Sequence, residues 1–330
     1  MEARTGFKPK KAMKQLSFPP ALLDDLRQVE RLMLERTQTR SAVLGIAGQH
    51  LLNSGGKRLR AVLTLLAARL GTYRLEDVIH AAAAVELIHA ASLVHDDLVD
   101  EAERRRGVIT VHSRWDHGVA LMVGDYLFAL AAGEMALSPD PRVIICFSQA
   151  VMTVCEGELS PVMSAMPLEK ALEEYFYKIG CKTAALFAAG CKAGIISAEG
   201  TAEQIEALGQ FGYDLGLAFQ IMDDILDFTG DEEILGKPAG SDLRQGVITL
   251  PLIYAVEAGG GEKLAAMVDS KDEAEIQWAV DEIRRLGVAR AHQEAVITIE
   301  RALGHLEIFP DSSAQQVLRE IAEFVIERDR

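Results

Sequence analysis

Apolar residues recur along this chain three and four apart, the spacing of a helix face, and nowhere alternate over a run long enough to argue for a strand. Pro19 and Pro20 open a segment that ends near Thr37, and Ser41 to Asn53 forms a second that stops at Gly55-Gly56. After Lys57-Arg58-Leu59-Arg60, Leu63 to Leu70 continues a third, with Gly71 as its expected C-cap. From Glu76 to about Glu103 the chain is apolar on nearly every face, which marks a central helix. Helices follow over Trp115 to Ala136, over Arg142 to Leu159, from Pro167 to Lys178 with an Ala-rich continuation, and over Gly200 to Phe228, ended by Thr229-Gly230. A Gly- and Pro-bearing loop, Leu235 to Gly246, leads into helical pattern from Thr249 onward, with charge-rich, solvated faces between Glu262 and Arg330. The pattern predicts an all-α fold. No low-complexity stretch divides the chain, so one domain over 1–330 is expected, with 1–17 as a solvated tail carrying Arg4, Lys8, Lys10, Lys11 and Lys14.

The polar residues inside these apolar helices carry the chemistry. The central helix ends in Asp96, Asp97 and Asp100, and the later one repeats the D-D-x-x-D pattern with Asp223, Asp224 and Asp227. Residues four apart share a helix face, so Asp96 with Asp100, and Asp223 with Asp227, each point one way. His89 lies two turns before Asp96 and near its face, where a hydrogen-bonded core histidine is the plainer reading and a ligand contact the sharper one. Arg104, Arg105 and Arg106 follow the first cluster directly, and guanidiniums there suit bidentate capture of a phosphate as well as a solvated charge run. Lys182 and Thr183 interrupt an Ala-rich run, as a cavity wall or an exposed face would. Gln220 precedes Asp223 by three, and Lys237 and Asp242 lie in a loop that could act as a lid.

Charge and composition narrow the ligand. A formal charge of -15 excludes a nucleic-acid binder, yet acidic clusters that hold divalent cations still attract small phosphates. Cys146, Cys155, Cys181 and Cys191 lack zinc-site spacing and are too few for a disulfide framework, so reduced thiols and a cytoplasmic location are expected. The most apolar stretch, Val78 to Val94, is shorter than the roughly 20 clean apolar residues of a bilayer span and carries His80, Glu86 and His89. No transmembrane segment is expected. Two triads of hard oxygen ligands call for Mg²⁺, which keeps positions for phosphate oxygens. Lys57, Arg60, Arg105, Arg106, Lys182 and Lys237 are too many cations for one phosphate. They suit two diphosphates, with apolar helix walls for attached hydrocarbon.

Gly55-Gly-Lys-Arg-Leu-Arg60, the two D-D-x-x-D motifs, Arg104-Arg105-Arg106-Gly107, Lys182-Thr183, Phe219-Gln220 and Gly236-Lys237 come in the order found in trans-polyprenyl diphosphate synthases. From about residue 40 to 260 the chain resembles that family, most of all its medium- and long-chain hexaprenyl and heptaprenyl members. The resemblance implies one helical bundle around a central cleft, of the isoprenoid synthase type, and head-to-tail condensation of isopentenyl diphosphate onto an allylic diphosphate such as farnesyl or geranylgeranyl diphosphate. It implies roughly three Mg²⁺ ions per site, held by Asp96, Asp100 and Asp223 with Asp97, Asp224 and Asp227 in support. Lys182, Lys237, Thr183 and Gln220 resemble the lining of the leaving group, and Arg105 the arginine on the allylic side. Lys57, Arg60, His89 and Arg106 resemble the isopentenyl diphosphate site. A homodimer is implied, or a catalytic chain with a small companion subunit. Two positions depart from the pattern: Gly246-Val247 stands where short-chain members have Gly-Lys, and Ala61 replaces a common proline.

Product length follows from the helix before Asp96. Short-chain relatives place aromatic residues a turn before the first aspartate, where this chain has Ala91 and Ser92, followed by Ile88, Leu87 and the run from Ala84 to Ala81. Moving the floor from Ala91 to Ala84 deepens the pocket by roughly 10 Å, room for a product of about six to eight isoprene units. The plainer reading is close helix packing. Four alternatives remain: a short-chain geranylgeranyl or farnesyl synthase, a partner-dependent subunit, a phosphohydrolase suggested by His95-Asp96, and a terpene cyclase, which would not need Lys57 and Arg60.

Overall fold

The structure is a computed structural model that describes residues 18–53, 58–105, 107–230 and 238–328. Lys57, Arg106, Lys237 and the basic tail, all named above, lie outside the described residues. The chain runs through α1 (Pro20–Arg36), α2 (Ala42–Asn53), α3 (Leu59–Ala68), α4 (Leu75–Val99), α5 (Val111–Arg114), α6 (His117–Ala136), α7 (Arg142–Glu158), α8 (Leu168–Ile179), α9 (Ala185–Ser197) and α10 (Ala202–Thr229). A short α11 (Ser241–Arg244), α12 (Leu250–Ala255) and α13 (Gly261–Ala265) lead to α14 (Glu273–Leu286), α15 (Val288–Gly304) and α16 (Ser313–Glu327).

Local chemistry sets many of these boundaries. Pro20 opens α1 where no amide donor is needed. Asp116 accepts the Val119 amide at the start of α6, and Thr201 with Gln204 forms a reciprocal capping box at the start of α10. Asp116 also corrects the expected helix from Trp115, because its cap breaks the chain into α5 and α6. Gly71 is not the cap of α3, which ends at Ala68. A Cβ on Gly71 would lie 2.5 Å from the Ala198 carbonyl oxygen, so glycine serves close approach there.

Helix α4 is the axis of the bundle, packed by α1, α3, α6 and α9. Ala81 to Ala84 and Leu87 are wholly enclosed. Its polar residues find partners: His80 Nδ1 lies 2.7 Å from Glu134 of α6, and Glu86 accepts the Ala61 amide of α3 at 3.0 Å. The Ala61 departure thus supplies a donor that proline lacks. Helix α4 stops at Val99, not near Glu103, because Asp100 caps it and Glu101 takes a positive φ of 51°. Beyond lies an exception to the all-α pattern, a two-residue antiparallel pair of β1 (Arg104–Arg105) and β2 (Val108–Ile109) across Gly107.

The argument from length against a membrane span fails. Leu75–Val99, His117–Ala136 and the run Leu168–Ser197 are each long and apolar enough to cross a bilayer. Their apolar windows are 67%, 39% and 78% buried inside the protein, so two of the three are apolar as core helices. Helix α6 is different, keeping Leu121 and Met122 exposed beside Val43 and Ile46 of α2 as unburied apolar side chains.

Candidate active site

The first acidic cluster occupies the last turn of α4. Asp100 donates its amide to the Asp96 carbonyl at 2.8 Å and is exposed at the helix end. Asp97 turns inward, buried, and accepts from Arg105 Nε at 2.7 Å, so Arg105 of β1 holds the carboxylate that lies between half-buried Asp96 and exposed Asp100. Burial pushes the Asp96 pKa up to about 6; the Lys182 ammonium opposes this, and Glu158 and Asp100 reinforce it.

The second cluster lies within α10, and its three carboxylates divide. Asp224 is buried, with one oxygen accepting from Tyr175 Oη at 2.7 Å and the other from Gln220 Nε2 at 2.9 Å. Burial, aided by the Asp242 charge, raises its pKa to about 8 against those two donors. Asp227 is also buried and accepts the Asp242 amide at 3.0 Å, while its carbonyl accepts the Gly240 amide at 2.8 Å. It anchors the returning loop at the start of α11. Asp223 alone remains exposed, and its Oδ1 meets Arg328 at 2.8 Å.

Two consecutive residues join these clusters. Helices α8 and α9 are separated by a π turn, Gly180–Ala184, of the wide kind that recurs at functional sites. From it Lys182 Nζ reaches Glu158 of α7 at 2.7 Å and Asp96 at 3.9 Å. Burial works against the lysine charge, yet Asp96 and Glu158 raise its pKa. Thr183 Oγ1 donates to Gln220 Oε1 at 2.8 Å, and Gln220 passes the contact on to Asp224. A Cβ at Gly216 of α10 would lie 2.5 Å from Ala184 Cα, so glycine lets α10 come against the turn.

The structure also gathers Arg60, whose guanidinium sits 4.7 Å from the centre of the Phe187 ring, one turn beyond Thr183 on α9. His89 is half-buried, and Ser92 donates to its carbonyl at 3.0 Å. Ala91, Leu87 and Ala84 are enclosed, Ile88 is buried, and Ser92 is partly open. His95, the basis of the phosphohydrolase alternative, packs on Phe128 and lies 3.7 Å from Asp125. Sequence reasoning missed Glu158 as a partner of Lys182, Tyr175 as the donor to Asp224, and Arg328. Tyr175 stood in an evident aromatic run, but nothing local marked the other two.

Residues 41–283 match the polyprenyl synthetase family. The chain belongs to that family. It is a prenyltransferase of the polyprenyl diphosphate synthase class, and the substrates of such enzymes are isoprenoid diphosphates. It is 40% identical to heptaprenyl diphosphate synthase component 2 of Geobacillus stearothermophilus over 96% of this chain and 100% of that one. It is 38% identical to a short chain isoprenyl diphosphate synthase of Methanothermobacter thermautotrophicus, over 86% of this chain and 90% of the relative. Among solved structures, heptaprenyl diphosphate synthase from Staphylococcus aureus superposes with a TM-score of 0.88 at 31% identity, covering 94% of this chain and 99% of that one. A Caulobacter crescentus polyprenyl synthase complexed with calcium and isoprenyl diphosphate gives 0.87 at 35% identity, covering 94% and 96%. These likenesses fix the all-α isoprenoid synthase fold.

In this polyprenyl synthetase the donor set fits a hard divalent cation. Asp96, Asp100 and Asp223 are carboxylates on the open side of their helices, and Asp96 and Asp223 already stand beside a cationic side chain. Among the described residues no three metal-type side chains converge on one point. Mg²⁺ takes one or two carboxylates from protein and its remaining oxygens from water and substrate phosphate.

Proposed function

We propose that this chain condenses isopentenyl diphosphate head-to-tail onto an allylic diphosphate, farnesyl or geranylgeranyl, and releases a medium- or long-chain all-trans polyprenyl diphosphate. One observation carries the reading: Lys182 and Thr183, adjacent on the π turn, connect to both acidic clusters, Lys182 directly to Asp96 and Thr183 through Gln220 to Asp224, so a single element links the two. Asp96, Asp100 and Asp223 would hold the Mg²⁺ ions, about three, whose Lewis acidity would stabilise the departing diphosphate. Lys182 would offer a cation to that group as charge develops on it, while Thr183, its hydroxyl proton given to Gln220, fixes Gln220 beside the second cluster. Arg60 and His89, with Lys57 and Arg106, orient the isopentenyl diphosphate. The proton lost after carbon–carbon bond formation leaves with the released diphosphate, and no protein base is needed. Incubation with Mg²⁺, isopentenyl diphosphate and each allylic primer, followed by sizing of the products, tests this; no condensation with any primer would sink the claim of an autonomous synthase.

A partner-dependent chain is the second reading, favoured by the relatives of 40% and 37% identity whose names call them component 2. Exposed Val43, Ile46, Leu121, Met122, Ile145 and Met152 on α2, α6 and α7 support an apolar interface, with a second copy or a companion subunit. Sedimentation of the purified chain at several concentrations separates these. All four cysteines are unpaired, which supports a cytoplasmic location.

A further inference from the structure

Helix α16 packs on α10, and the chain leaves it at Arg328 with extended backbone, φ -70° and ψ 143°. Arg328 does not point to solvent, as the charge-rich end of the sequence led one to expect. Its side chain is only 7% exposed. The guanidinium lies 4.0 Å from the centre of the Phe219 ring, donates to the Phe219 carbonyl and reaches Asp223 Oδ1 at 2.8 Å. Phe219 and Asp223 are one turn apart on α10, so a single guanidinium nitrogen, Nη2, spans a helical turn, joining its carbonyl to the carboxylate that follows. Asp223 keeps 44% of its side chain exposed while held this way.

We infer that Arg328 is a positioning residue for Asp223. It fixes one carboxylate oxygen from beneath, so that the carboxylate presents itself to a divalent cation without first losing side-chain freedom. The inference rests on the metal role proposed for Asp223. Two roles are open to a cation beside a metal ligand: to orient it, or to occupy its site until metal displaces it. Burial favours the first. The guanidinium is stacked on a ring and bonded to a carbonyl, contacts that do not depend on Asp223 and that would be lost if it had to leave. Asp96 has no such support, since Lys182 approaches it only to 3.9 Å and bonds to Glu158 instead. Carboxylates that bind metal are themselves held by outer hydrogen bonds, whose loss typically weakens metal affinity about 10–100-fold.

The test uses the full-length chain with Mn²⁺ and inorganic diphosphate, reading free Mn²⁺ by electron paramagnetic resonance. Arg328→Gln should weaken Mn²⁺ binding about tenfold or more and raise by a similar factor the Mg²⁺ concentration giving half-maximal rate, with kcat largely recovered at saturating Mg²⁺. Arg328→Lys keeps the charge but loses the planar group stacked on Phe219 and the reach of Nη2; it should fall between wild type and Arg328→Gln at an unchanged melting temperature, which keeps the test valid if Arg328→Gln folds poorly. Unchanged binding in both variants overturns the inference, and tighter binding overturns it in favour of a displaced occupant. Failure of the underlying reading is separate: a wild-type chain that binds no Mn²⁺ with diphosphate removes the metal role itself.

Discussion

The two D-D-x-x-D clusters are the same word in sequence and different objects in space. In the first, at the end of α4, Asp100 is exposed, Asp96 is half-buried beside Lys182, and only Asp97 is fully buried, against Arg105. In the second, inside α10, Asp224 and Asp227 are both buried and only Asp223 faces outward. The first therefore offers two carboxylates on a helix end that can adjust. The second offers one, backed by a hydrogen-bonded interior running through Tyr175, Gln220, Thr183 and Arg328. Identical spacing specifies which residues carry charge; the neighbouring helices decide which of them meet solvent.

The strongest way to break this contrast is to remove the proposed metal carboxylates. Asp96→Ala and Asp223→Ala should each cut turnover by on the order of 10³-fold with the helical circular dichroism retained. A near-normal rate in either would contradict its metal role. Next, Ala91→Phe adds bulk at the expected chain-length position behind the first cluster only, and should shift most of the product to shorter chains; an unchanged length distribution would remove Ala91 as a determinant of product length.

Smaller effects probe the second cluster's interior. In Asp224→Asn a nitrogen donor replaces one of the two oxygens that accept from Tyr175 and Gln220, so one of those hydrogen bonds has to be remade with its roles exchanged. The expected loss is about 1–3 kcal/mol of stability, read by thermal denaturation. Its pH dependence has a definite sign. The Asp224 pKa stands at about 8 against an ordinary value of 3.8, so the folded chain holds that proton more tightly than the unfolded one. The resulting stability is full below the ordinary value and is lost as pH rises through about 8. Metal-free Asp224→Asn should therefore lose less melting temperature between pH 6 and 8 than the wild type; an equal slope would place the titration elsewhere. The smallest effect is expected at Ala61→Pro, which restores the family residue. It removes the amide that meets buried Glu86, worth about 1.5–3 kcal/mol to a charged acceptor. Proline returns about 0.4–1 kcal/mol by stiffening the unfolded chain. A net loss of about 0.5–2.6 kcal/mol follows, and a raised melting temperature would show that Glu86 does not need that donor.

Helix order, the acidic clusters and their cationic company were legible because each depends on spacing within one or two turns. The ends of helices were less so: α4 stops at Val99 because Asp100, read as a ligand, also serves as its cap. What could not be read depends on chain segments brought together from afar. Tyr175 meets Asp224 across 49 positions, and Arg328 meets Phe219 across 109. The membrane argument failed for a related reason: an apolar helix in the middle of a bundle and one in a bilayer have the same composition, and only their surroundings differ.

The π turn at Gly180–Ala184 has a further consequence, for how this helix can change over evolutionary time. Helices α8 and α9 form one rod from Leu168 to Ser197, and the extra residue in the wide turn sets the faces of its two halves out of step by roughly 100°. Substitutions along the rod are tolerated or rejected one site at a time. A single-residue deletion is another matter: inside the wide turn it would restore even winding and remove the bulge that carries Lys182 and Thr183, and elsewhere in the rod it would rotate every later side chain away from its partner. Length, more than identity, is the property of this segment that is hardest to alter.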